Sequence, residues 1–176
     1  MKVDRGWKRE CYYGKKSGME RLYRPNVAGV IVRRDGKLLI CERSKQQGAW
    51  QFPQGGIDPG ETALVAVQRE INEEVGFLPS QYDIVESQSG YRYDYPPEVL
   101  EYVRKKRHQP YVGQEQEYFL CHLKENAPEP SLDHREFRDY RWIDPAEFNL
   151  EWLPEFKKDV YAKVLARFFN ILSPGK

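Results

Sequence analysis

Three glutamates, Glu70, Glu73 and Glu74, stand close together in the run Arg69-Glu-Ile-Asn-Glu-Glu-Val-Gly-Phe77. On a helix, residues three and four apart share one face, so the three carboxylates crowd together. No Lys or Arg follows four residues on to relieve them. A hard divalent cation would, and Mg²⁺ favours oxygen ligands shared between carboxylates and substrate phosphates. Bound there, such a cation would also meet the phosphates of a substrate. Just upstream, Gly55-Gly-Ile-Asp-Pro-Gly-Glu61 reads as a glycine-rich turn whose backbone can approach a metal or phosphate closely.

The elements around this run must position it. Thr62 to Val75 reads as a helix with Leu64, Val67, Ile71 and Val75 as its apolar stripe, displaced around the axis from the acids. Gly76 fits the left-handed position that ends a helix. Upstream, Asn26–Arg33 and Lys37–Glu42 read as strands joined by an Asp35-Gly36 turn. Ser44–Ala49 is a polar loop. Downstream, Tyr82–Ser87 and Tyr91–Tyr95 read as two short strands, with Pro96-Pro97 stopping the second. Residues 97–113 form a long connection with a short helix from Glu98 to Arg107. Gln116–Leu123 and Phe137–Ile143 are further strands. Pro154 opens a last amphipathic helix whose stripe is Phe156, Val160, Val164, Leu165 and Phe168. Two long helices among mixed short strands predict an α/β sandwich. Residues 1–22 are polar and read as an N-terminal extension, leaving 23–176 as one domain.

The 28 Lys+Arg nearly balance the 27 Asp+Glu, which excludes a global basic field, so any nucleic-acid contact must be local. Cys11, Cys41 and Cys121 show no metal-binding spacing and read as reduced thiols of a cytoplasmic protein. No apolar run reaches membrane-spanning length and no signal-peptide pattern opens the chain, so no membrane partner is expected.

Gly55, Glu61, Arg69, Glu70, Glu73, Glu74 and Gly76 resemble the Nudix box at every fixed position, with Phe77 replacing the usual aliphatic residue at the end. The resemblance implies an α/β/α sandwich with a mixed sheet and a hydrolase of a nucleoside diphosphate linked to another group. Mg²⁺, with Mn²⁺ as a substitute, would be held by Glu70, Glu73, Glu74 and a loop glutamate matched by Glu136. Arg69 would orient the acids and Glu61 the loop, while the general base stays open among Glu73, Glu74 and Glu136.

Beyond the box, the chain resembles bacterial RNA pyrophosphohydrolases and the related dinucleoside polyphosphate hydrolases over about residues 23–170. The match runs through Tyr23-Arg-Pro-Asn26, Trp50-Gln-Phe-Pro-Gln-Gly-Gly56, Gly113-Gln114, Gln116, Glu136-Phe137, Arg141-Trp142, Phe156-Lys157 and Asp159-Val-Tyr161. It implies an RNA 5′ end as substrate, a triphosphate being cut to a monophosphate. A dinucleoside tetraphosphate is the alternative, and a non-catalytic nucleotide- or RNA-binding module the third reading. Arg24 would bind phosphate bidentately. Phe156 would stack on a base and Lys157 touch a phosphate. Arg43, Gln114 and Tyr93 complete the expected substrate-binding set, Tyr93 standing where dinucleoside polyphosphate enzymes carry a tyrosine. One segment departs: Gly113-Gln-Glu-Gln-Glu117 has Glu115 and Glu117 where the family has lysines. These charges are expected to weaken a phosphate contact or shift it to Arg43, Lys45 or the run Arg104–Arg107.

Overall fold

The computed structural model describes residues 21–170. Nearly all of the expected extension, residues 1–20, therefore lies outside the described residues. From Tyr23 the chain forms β1 (Tyr23–Val32), β2 (Leu38–Arg43), β3 (Trp50–Gln51), β4 (Gln54–Gly56), α1 (Ala63–Val75) and β5 (Tyr82–Asp94). It continues as α2 (Pro97–Lys106), β6 (Gly113–Leu123), β7 (Phe137–Ile143) and α3 (Glu155–Phe169), with single-turn helices between.

The strands make one mixed sheet in the order β3-β2-β1-β6-β5, with β4 paired to β1 and β7 to β2. β1 and β6 run parallel in unbroken register from Tyr23–Gly113 to Val32–His122. Every other pairing is antiparallel. Alternation sends β1 side chains to two separate cores. Val27 and Ile31 join Val67, Ile71 and Val75 of α1. Ala28 and Val30 join Val160, Tyr161 and Val164 of α3. The sheet is thus layered between α1 and α3, the α/β/α arrangement expected of the sequence.

Three expectations are corrected. β5 is one strand rather than two, because register shifts absorb the polar stretch between Gln88 and Tyr91, where Gly90 takes φ 86°. Gln54–Gly56 is a strand on β1 rather than a turn, and the turning falls to Gly60, at φ 85°. Leu64 is 47% exposed, and Ala66 takes its place in the stripe.

Candidate active site

α1 begins where Thr62 Oγ1 accepts the Val65 N–H (3.3 Å) and ends at Gly76, whose left-handed φ of 78° lets its N–H reach Asn72 O. Close approach of α1 to the sheet depends on Gly29, since a Cβ there would lie 2.8 Å from Ile71 Cδ1. Gly55 serves the same purpose at the site: a side chain would occupy the place of the Glu70 carboxylate.

Arg69 holds the turn and the helix together. Its Nε and Nη2 donate to the two oxygens of Glu61 at 2.9 and 2.8 Å, and Nη2 also reaches Gly56 O at 2.9 Å. Nη1 donates to Glu70 at 2.6 Å and lies 3.5 Å from Glu73. Some relief of the acidic face therefore comes from the preceding residue, not from a following cation. The guanidinium holds the Glu61 carboxyl down at about 2. Neither Arg69 nor Glu61 lines the cavity beside them.

That cavity, of about 460 Å³, gathers Glu70, Glu73 and Glu74 on one wall and Glu136 with Asp133 on another. Glu74 is 6% exposed, and its only described partner is the Gln54 N–H, at 2.8 Å. Burial first, then the charges of Glu70, Glu136 and Asp133, push its carboxyl up to about 9. Burial also raises Glu70, against the pull of Arg69. Arg24, Arg43, Gln114 and Lys157 line the same cavity. Lys157 is buried, and burial with the neighbouring Arg43 lowers its amine to about 8.

Tyr93 and Phe156 do not line it. They border a second cavity of about 420 Å³ that shares Arg43, Arg107, Gln114 and Lys157 with the first. Their rings pack 5.4 Å apart, and Tyr93 OH donates to Gln114 Oε1 at 2.5 Å. The charge-inverted pair belongs to neither cavity, which corrects the expected effect on a phosphate contact. Glu115 pairs with Arg92 at 3.0 Å, and Glu117 borders a shallow groove beside Leu64 and Val85. Two charged cavity residues, Asp133 and Arg135, escaped the sequence reading, and Arg107 entered it only within the run named as an alternative phosphate contact. Asp133 had a usable signal, an Asp two and three residues ahead of backbone N–H groups that it caps. Arg107 belongs to the basic run Arg104–Arg107.

The NUDIX domain model matches residues 22–164. The chain belongs to the Nudix family. It is 38% identical over 154 residues to a protein of Campylobacter jejuni subsp. doylei named RNA pyrophosphohydrolase, covering 85% of this chain and 94% of the relative. A protein of the same name from Stenotrophomonas maltophilia is 37% identical over 147 residues, covering 81% and 69%. The fold is similar to that of the C. elegans Ap4A hydrolase in a binary complex, with a TM-score of 0.59 at 22% identity over 84% of this chain and 95% of that one. The E. coli dihydroneopterin triphosphate pyrophosphohydrolase gives 0.62 at 18% identity, covering 84% and 97%.

Nudix hydrolases use divalent metal ions, and the donors here suit one. Glu70, Glu73, Glu74 and Glu136 are hard oxygen donors around one cavity, and Glu74 is a buried carboxyl whose ionisation is held back by burial and neighbouring acids, with no cationic partner among the described residues. The described acids are not drawn to a single point.

Proposed function

We propose that this Nudix hydrolase cuts the 5′-triphosphate of RNA to a monophosphate, with Mg²⁺ bound by Glu70, Glu73, Glu74 and Glu136 and Mn²⁺ as its substitute. The single observation that carries this reading is one cavity holding carboxylates on one side and cations from β1, β2 and α3 on the other. Polyphosphate bound to divalent ions needs both. The relatives named RNA pyrophosphohydrolase support RNA as the substrate class.

When bound, the divalent ion supplies charge neutralisation and a lowered pKa for a coordinated water. The chain's own residues supply the rest. Arg24, Arg43 and Lys157 hold the phosphate oxygens in line for displacement. A carboxylate among Glu73, Glu74 and Glu136 accepts the water's proton as the new O–P bond forms. The anhydride P–O bond breaks, and phosphate or pyrophosphate leaves. Arg69 keeps Glu70 and Glu73 in place without touching substrate. No helix among the described residues is long and apolar enough to cross a membrane. The cytoplasm, where RNA 5′ ends are made, is the compartment this function requires.

The test is kcat/KM on triphosphorylated RNA beside diadenosine tetraphosphate. RNA is the expected better substrate. A hundredfold preference for the dinucleotide would reassign the enzyme to dinucleoside polyphosphates, and no metal-dependent phosphate release from either would make it a binding module.

A further inference from the structure

We infer that Glu42 is a positioning residue that, through Arg138 and the 43–48 loop, sets where Glu136 stands over the box carboxylates. The inference rests on the proposed role of Glu136 as a metal-site residue. β2 and β7 pair in regular register from Leu38–Ile143 to Glu42–Asp139, then slip, so that Arg43 faces Phe137. Arg138 is the extra residue, opposed by none. A bulge at the end of a ladder bends the strand and re-aims the adjoining residues, and the segment adjoining this one carries Glu136.

Glu42 fills the inner corner of the bend. It is a buried carboxylate that does not line the catalytic cavity. One oxygen lies 3.1 Å from Arg138 Nε, and the other accepts the Gly48 N–H at 2.6 Å. It thereby ties the bulge to a loop that starts at Arg43. That loop in turn grips the Glu136 segment: the Ser44 N–H donates to Glu136 O at 2.9 Å and its hydroxyl to His134 O at 3.1 Å. From the other side, Asp133 Oδ1 accepts the N–H groups of Arg135 and Glu136 at 3.0 and 3.1 Å. His134, between them, holds φ 60°, a conformation that a non-glycine residue keeps only where its surroundings impose it. Burying a carboxylate is costly unless it is paired and hydrogen-bonded. Here both of its partners lie in segments that deliver a cavity residue.

Glu42→Gln keeps an acceptor for Gly48 and drops the charge that holds Arg138. Expected are Mn²⁺ binding weakened by about tenfold in a calorimetric titration, faster amide exchange at Ser44 in the metal-free protein, and kcat lowered by about tenfold with KM little changed, the range for groups that orient metal ligands. Arg138→Gln, at a half-exposed position, should do the same and serves if the buried variant does not fold. The double variant E42Q/R138Q should lose little more than either single change, because both break the same pair. Leu123→Ala, buried at the far end of β6, should lower Tm without changing any of the three readouts. Wild-type Mn²⁺ affinity and Ser44 exchange in both single variants would overturn the inference, as would an equal loss in Leu123→Ala. If the wild type binds Mn²⁺ but hydrolyses nothing, the functional reading fails, while the binding and exchange results still decide this one. If it binds no Mn²⁺, the inference falls with the metal site.

Discussion

The two sides of the cavity are built in opposite ways. The acidic side is mostly one helix, where Glu70, Glu73 and Glu74 are fixed relative to each other by the pitch of α1. The cationic side is assembled from Arg24 on β1, Arg43 at the end of β2, Arg107 beyond α2 and Lys157 on α3. A one-helix array is local and tolerant of distant change. An array from four segments depends on the whole sheet being in register. Glu136 sits between these cases, acidic in chemistry but held by a loop.

If the acidic side carries the ion, Glu74→Gln should lower turnover by at least about a hundredfold, since it removes a charge that holds the metal. Metal-free Tm should not fall, because a carboxyl raised to about 9 is already uncharged at neutral pH and the amide can still accept the Gln54 N–H. Near wild-type turnover would end the comparison. Glu136→Gln should lower kcat more than it raises KM, a role that grows in the transition state. An unchanged kcat would move Glu136 out of the site altogether.

The cationic side should show smaller, binding-type effects. Phe156→Ala should cost about 1–3 kcal/mol in RNA affinity, the worth of one base–aromatic stack, measured by fluorescence titration with non-hydrolysable RNA. A loss of stability without a loss of affinity would return Phe156 to the core beside Tyr93. Lys157 gives a pH signature. With its amine lowered to about 8, it loses charge as pH rises through that value, so KM for polyphosphate should climb severalfold on the alkaline side. Lys157→Met should start with the raised KM and lack the climb. Arg43 is the charge that lowers this amine; Glu98 and Arg107 share the second cavity with it, and Arg24, Arg135, Glu70, Glu73, Glu74, Asp133 and Glu136 share the first. For stability the sign is opposite: the unfolded chain binds more protons between about 8 and 10.5, so this residue's contribution to stability rises with pH there. Smallest of all, replacing Glu115 and Glu117 together by Lys should leave RNA affinity unchanged and lower Tm slightly through loss of the Arg92 pair. Tighter binding would bring the far face of β6 into the substrate path.

This contrast also explains what was legible in the sequence. Glu70, Glu73 and Glu74 could be read because helical spacing alone brings them together, and Gly76 and Thr62 mark the ends of that helix. β7 was legible to the residue, Phe137–Ile143. Asp133 was not legible as a site residue, and Arg107 could not be singled out of its basic run, because only the β1–β6 and β2–β7 pairings carry them to the cavity. The orientation of Glu115 and Glu117 depended on strand parity, which is set by register rather than residue type. Tyr161, fully buried against Phe52 at 4.8 Å, shows how an aromatic on α3 can belong to the core when its neighbour Lys157 belongs to the cavity.

The parallel pairing of β1 with β6 has a temporal consequence. The Gln116–Asn26 hydrogen bond, beneath the cavity, joins residues 90 apart, so the loop between them must close before the floor exists. Contacts of such separation slow folding. On a ribosome, α1 and its acids emerge long before β6, the 133–138 loop and α3. A partly synthesised chain therefore carries the carboxylates but neither Glu136 nor Lys157. Hydrolytic competence should arrive late, only after release of nearly the entire domain, and chains stalled before Glu155 should be inactive however well their first helix has formed.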